Sequence, residues 1–208
     1  MFNKPIKPAN DIEGLKRSAF WHLARRDHSE HELRLKLARK TDNQQWIDSV
    51  INECYEFNYL NDNRFCGSFI RNAQNKGHGI NRIQRDLQLK GINNAISEPH
   101  FSNDKFNYID SATEQLQRRY HQRIENALLK QKAMVFLQSR GHTFEHIFEA
   151  IENHNCHFPL EEYDAVAEAL SLLQKKFYLK IEDKKQQDKA KRFLISKGYS
   201  FNDCNVCN

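Results

Sequence analysis

A pattern of helix, tight turn and second helix, spelled AFWHLARRDHSEHELRLKLARK over residues 19–40, recurs three more times in the chain, and this repetition limits the fold more than any other feature. In the first copy Ala19 and Leu23 lead to a basic pair, Arg25 and Arg26, which ends the first helix. Ser29 followed by Glu32 has the spacing of a capping box, in which hydroxyl and carboxylate each serve an open backbone N–H. Leu33 and Leu37, one turn apart, form the buried stripe of the second helix, and Leu35 points away from it. Aligned on itself, the chain puts Ser29, Gly79, Thr143 and Ser200 at the cap, with His28, His78, His142 and Tyr199 just before it. Arg26, Lys76, Arg140 and Lys197 stand three residues before the cap; Leu33, Ile83, Ile147 and Cys204 stand four after it. Residues 117–148 and 174–205 agree over a longer run, with Phe136 and Phe193, Gly141 and Gly198, and Phe144 and Phe201 in register, which reads as a tandem duplication.

A helical unit too small to enclose its own apolar face buries it against the next copy. Mean hydropathy of -0.83 with 28% charged residues is very polar for a compact globule of 208 residues, whereas 39% apolar residues at helical spacing speak against disorder. An elongated array with a thin continuous core reconciles the two. No stretch alternates as a strand does, so the expected fold is all-α, a series of tandem three-helix repeats with three units and a partial fourth. The repeats are expected over 11–60, 61–117 and 118–174, with the partial copy over 175–208 and a flexible tail over 1–10. Trp46, Ile47, Val50 and Ile51 mark a third helix, and Asn61 or Asp62 caps a fourth through Phe65, Phe69 and Ala73. The next helix buries Ile80, Ile83 and Leu87, turns Arg82, Arg85 and Leu89 outward, and stops at Gly91. Residues 93–102, with Pro99, read as a turn-rich connection and 154–160 as another; between them the helix after Thr143 carries the stripe Phe144, Ile147 and Ile151. Val166, Ala169, Leu170 and Leu173 mark a further helix.

The formal net charge of +5 and pI of 8.9 permit a nucleic-acid or acidic-protein partner. No apolar segment is long enough to cross a bilayer, the start lacks the apolar core of a signal peptide, and five cysteines without framework spacing fit a reducing compartment, so a cytoplasmic protein is expected. No P-loop, H-E-x-x-H or G-x-S-x-G is present, so neither catalysis nor a cofactor is expected. His28, His78 and His142 fall in successive units, too far apart to share a metal, and read as turn or packing residues. Cys204 and Cys207, with His154, Cys156 and His157, make half a zinc pattern, but Cys204 occupies the buried repeat position and reads as a small apolar residue.

Leu23-Ala24-Arg25-Arg26-Asp27-His28-Ser29, Glu32-Leu33-Arg34, Tyr59-Leu60-Asn61-Asp62 with Arg64-Phe65, and Lys76-Gly77-His78-Gly79 followed by Lys90-Gly91-Ile92 resemble the RecX family of bacterial recombination regulators. The match is dense through the first half and is carried afterwards by Phe136-Leu137 and Arg140-Gly141. The resemblance implies a curved array of three-helix units, monomeric, that lies in the groove of the RecA filament and suppresses its ATPase, strand-exchange and coprotease activities, with consequences for DNA repair and the SOS response. The family has three such units, whereas 177–208 reads as the start of a fourth. Repetition would set Arg26, Lys76, Arg140 and Lys197 in a row suited to a periodic acidic partner, although a cation in the last turn of a helix is also favourable by about 0.3–1 kcal/mol with no partner at all. Arg25, Arg34, Arg39, Lys40, Arg71, Arg82, Arg85 and Lys90 add charge to the first two units and complete the candidate partner-binding set. The alternatives are a helix-turn-helix-like protein binding single- or double-stranded DNA through phosphates, since Arg82, Arg85 and Leu89 include no Asn or Gln for base edges, and a helical adaptor.

Overall fold

The computed structural model describes residues 8–158 and 184–196, and among these all regular structure is helical. In chain order the helices are α1 (Ile12–Leu23), α2 (Glu30–Ala38), α3 (Gln44–Glu56), α4 (Asp62–Asn75), α5 (Ile80–Leu89), α6 (Asn94–Ser102), α7 (Tyr108–Arg119), α8 (Ala127–Arg140), α9 (Phe144–Cys156) and α10 (Lys184–Ser196). Asp11, Ser29, Asn43, Asn61, Asn93, Asn107, Asn126 and Thr143 each accept an N–H from the first turn of the helix they precede. Such a cap contributes roughly 1 kcal/mol and explains why the boundaries fall at short polar residues. Gly79 begins α5 without a side-chain cap. The helix expected through Val166 to Leu173, the fourth junction at Lys197, Tyr199 and Ser200, and Cys204 with Cys207 lie outside the described residues.

The chain forms two compact units, Met1–Phe106 and Asn107–Asn208. In the first, α1, α2 and α3 close over Leu15, Ala19, Leu33, Leu37, Ile47, Val50, Ile51, Cys54 and Leu60. Phe65, Cys66, Ile70, Ala73, Ile83, Leu87 and Ile92 are buried hydrophobic residues of α4, α5 and the turn after them. Full burial of one such Leu or Ile side chain contributes roughly 1.5–3 kcal/mol. Ala9 donates its N–H to Lys40 O (2.9 Å) and packs on the first core. In the second unit α7, α8 and α9 enclose Ala112, Leu116, Ile124, Ala133, Leu137, Ile147, Ala150 and Ile151.

Several local expectations are corrected. Helix α1 ends at Leu23, so Arg25 and Arg26 belong to the turn that follows. Residues 94–102 form α6 despite Pro99: the Asn93 side chain accepts from Ile96 N (3.0 Å), and Pro99 and Ala95 are both exposed, so the carbonyl left without its helical N–H can turn to water. Helix α9 runs to Cys156 and buries His154, where a linker was expected. Its inner stripe is Ile147, Ala150, Ile151 and His154, while Phe144 is exposed because it occupies the first position of the helix, beside the Thr143 cap. Ile80 and Arg82 are both half-buried. Leu35 points away from the stripe of α2, at 57% exposure.

Candidate functional site

Within the first unit, the N-terminus of α2 meets the C-terminal end of α5, and this contact places several of the candidate cations. Ser29 is fully buried; its hydroxyl accepts from Glu32 N (3.1 Å) and donates to Lys90 O (2.7 Å). Glu32 does not complete the capping box. Its carboxylate takes Arg26 Nη1 (2.9 Å), from the turn before α2, and the Lys90 ammonium, from the end of α5. Burial alone would raise the Glu32 carboxyl, and the bonds from Arg26 and Lys90 outweigh it, holding the group below its ordinary range. Asp62 accepts Glu30 N at 2.8 Å beside this junction, and Glu30 in turn binds Arg34 Nε (2.6 Å) and Tyr55 OH (2.8 Å). Gly91, at φ +79, allows the approach: a Cβ there would stand 2.5 Å from the Cβ of His31.

The candidate cations therefore divide by what they already hold. Arg26 and Lys90 are tied to Glu32, Arg34 to Glu30 and Asp48, and Arg82 lies 3.5 Å from Asp86. Arg85 also reaches Asp86 (3.3 Å) but is largely exposed, as are Arg39 and Arg71, the latter donating to Ser68 Oγ at 3.2 Å. Lys40 is half-buried. Arg25 is exposed, its guanidinium 4.8 Å from the centroid of Trp21. Lys76 lines an open groove of about 510 Å³ with Phe69, His78, Asp86, Leu89 and Lys90. Arg140 belongs to the second unit and lies 5.5 Å from the Phe136 ring. Lys197 is outside the described residues.

The histidines of the repeated junction sit in the packing of their turns. His28 is buried, with Nδ1–H donating to Arg26 O at 3.0 Å, and His142 is buried with its Nε2 3.2 Å from Gln115 Nε2. Among the described residues no group of three or more His, Cys, Asp or Glu side chains is placed to hold a metal ion, and no helix is long and apolar enough to cross a membrane. The environment of His22 is distinctive: burial lowers its ring below the ordinary histidine value, and Lys36, His28, Lys40 and Arg25 lower it further.

Sequence reasoning passed over an aromatic groove in the first unit. Phe20, Leu23 and Ala24 from the end of α1, Glu53 from α3, Phe57, Asn58 and Tyr59 from the turn after it, and Arg64 from α4 line an open space of about 770 Å³. Tyr59 meets Phe20 edge-on at 5.5 Å and Phe57 at 6.0 Å, and the outer two rings, Phe57 and Tyr59, are 61% and 52% exposed. The available signal was two aromatic residues flanking an asparagine at a helix end.

The described residues thus define a class: a tandem three-helix repeat protein with a polar junction inside its first unit and an exposed surface that is both basic and aromatic. Models of the first, second and third three-helix domains of RecX match residues 16–54, 61–98 and 107–151, and the third-domain model matches again over 162–206. The Regulatory protein RecX of Vibrio vulnificus (strain CMCP6) is 34% identical over 153 residues, which span 73% of this chain and 96% of that protein. That of Haemophilus ducreyi (strain 35000HP / ATCC 700724) is 35% identical over 124 residues, 60% of this chain and 82% of the relative. The crystal structure of RecX from Lactobacillus salivarius shares the fold, with a TM-score of 0.61 at 22% identity, covering 71% of this chain and 98% of that one. The chain belongs to the RecX family.

Proposed function

We propose that this chain is a cytoplasmic, monomeric, non-enzymatic regulator that binds the RecA–DNA filament and restrains RecA ATPase, recombinase and coprotease activity. The ordered match to all three RecX domains carries this reading. Among the exposed cations of the first unit, Arg25, Arg39 and Arg71 support it as contacts for an acidic, periodic partner. Arg26 and Arg82 are poor sites for charge reversal, because each faces a carboxylate that a new glutamate would repel. Arg25→Glu with Arg39→Glu is the cleaner variant. The doubly reversed chain should keep its melting temperature and bind RecA assembled on single-stranded DNA roughly tenfold or more weakly. Equal binding by a folded variant would place the contact elsewhere.

A second reading, phosphate-driven DNA binding, is favoured by one observation: the exposed Trp21 lies under the Arg25 guanidinium and beside His22, an aromatic surface next to a cation. It requires affinity for naked DNA that falls steeply with salt, at ratios sufficient to coat the strand.

A further inference from the structure

The aromatic groove of the first unit is built in a way that packing alone does not require. Leu60, fully buried, anchors the turn after α3, and around it the backbone is pinned: Asn58 N donates to Tyr55 O (2.9 Å) and Leu60 N to Cys54 O (3.0 Å). Asn58 adopts φ 54, and its side-chain oxygen accepts from Asn61 Nδ2 at 3.1 Å. Arg64 spreads its guanidinium over this turn, giving Nη1 to Asn58 O (3.2 Å), Nη2 to Tyr59 O (3.0 Å) and Nε to Asp27 (3.0 Å). The result is a pinned backbone from which two large, mostly exposed rings project. Rigid exposed aromatic residues lose little conformational freedom when covered, which is the property of residues that dominate protein interfaces.

The charges around the groove say what would cover it. Glu53, the carboxylate on its wall, is already neutralised by Lys16 at 2.7 Å. Beyond Ala24 the chain continues into Arg25, exposed and stacked on Trp21 rather than on a carboxylate, and Arg26. The wall is apolar and the edge cationic. Arg64 has its donors committed to Asp27 and two carbonyls, so the groove itself offers little to a phosphate chain.

We propose that the groove formed by Phe20, Leu23, Phe57 and Tyr59 is a docking site for a protein segment that presents an apolar side chain next to acidic residues. Phe57 and Tyr59 receive the apolar group, and Arg25 faces the acidic flank. This rests on the filament-binding reading, because it takes the filament's protein component as the source of the segment. It moves the main anchor from the cations to the aromatic rings.

The test uses full-length Phe57→Ala and Tyr59→Ala chains, whose cations are untouched, with RecA assembled on oligo(dT) and with oligo(dT) alone. Both variants should bind the filament roughly ten- to a hundredfold more weakly while any binding to oligo(dT) alone is unchanged. Phe57→Ala leaves the Phe20–Tyr59 pair in place, so it keeps the test valid should Tyr59→Ala prove unstable. Filament binding by Phe57→Ala equal to that of the unmodified chain would overturn the docking site and leave the filament reading standing. Loss of oligo(dT) binding together with filament binding would overturn it in favour of a nucleic-acid platform. Failure of the unmodified chain itself to bind the filament would overturn the filament reading and the groove's partner with it.

Discussion

Ser29 serves two backbone groups at once, the N–H of Glu32 in its own helix and the carbonyl of Lys90 sixty-one residues away. Replacing it removes a helix cap and strands a carbonyl at a buried contact. Ser29→Ala is therefore expected to cost about 1–3 kcal/mol, read as a lower denaturant midpoint for the first unit. An unchanged midpoint would mean that water replaces the hydroxyl at no cost. Gly91 makes the same contact possible sterically. Gly91→Ala would have to hold a side chain at positive φ and force it into His31, so a loss of about 2–4 kcal/mol is expected from thermal or urea unfolding. A loss below that of an ordinary surface substitution would show that α2 and α5 separate easily.

At the scale of helices, acid should loosen the packing before the carboxylates titrate. His28 and His154 are held neutral by burial, and each already spends one ring N–H on a backbone carbonyl, Arg26 O and Gln122 O respectively. The second nitrogen of His154 is buried without a hydrogen-bond partner among the described residues, so a proton there would have nowhere to donate. Folded values lie below the ordinary value of about 6.5, so this stability is complete above that pH and is lost as the pH falls below it, where the unfolded chain takes up protons first. Glu30, Glu32 and Asp48 are shifted down and lose their contribution only at lower pH. The urea midpoint should drop between about pH 7.5 and about pH 5.5; a flat profile across that interval would remove the buried histidines as the cause. Helices of this kind were legible in the sequence wherever an apolar stripe followed the helical period, as in Leu33 with Leu37 or Ile83 with Leu87. Helix α6 was hidden by Pro99, whose usual meaning as a breaker gives way when the freed carbonyl can reach solvent. The end of α9 was hidden because His154 reads as polar while lying fully buried. The aligned junctions follow local turn chemistry: they separate the first and second helices in the first two matched domains, and the second and third helices in the third. The aromatic groove was illegible because Phe20 meets Tyr59 across 39 positions of chain (59 − 20), and the partners of Glu32 were hidden likewise, Lys90 lying fifty-eight positions away.

For the whole molecule, a net charge of +5 spread among 32 basic and 27 acidic residues favours an acidic partner only where exposed cations gather without their counter-ions. In the first unit Arg25, Arg39 and Arg71 meet that condition best, whereas Arg26, Arg34, Arg85 and Lys90 face carboxylates inside the fold. A filament regulator and a DNA-coating protein differ most in how many copies they need. The decisive measurement is RecA ATP hydrolysis on single-stranded DNA as this protein is added at amounts well below the RecA concentration. Filament regulation requires a progressive fall in rate at those low ratios. A rate that holds until the protein is abundant enough to cover the DNA, or that never changes, would contradict it.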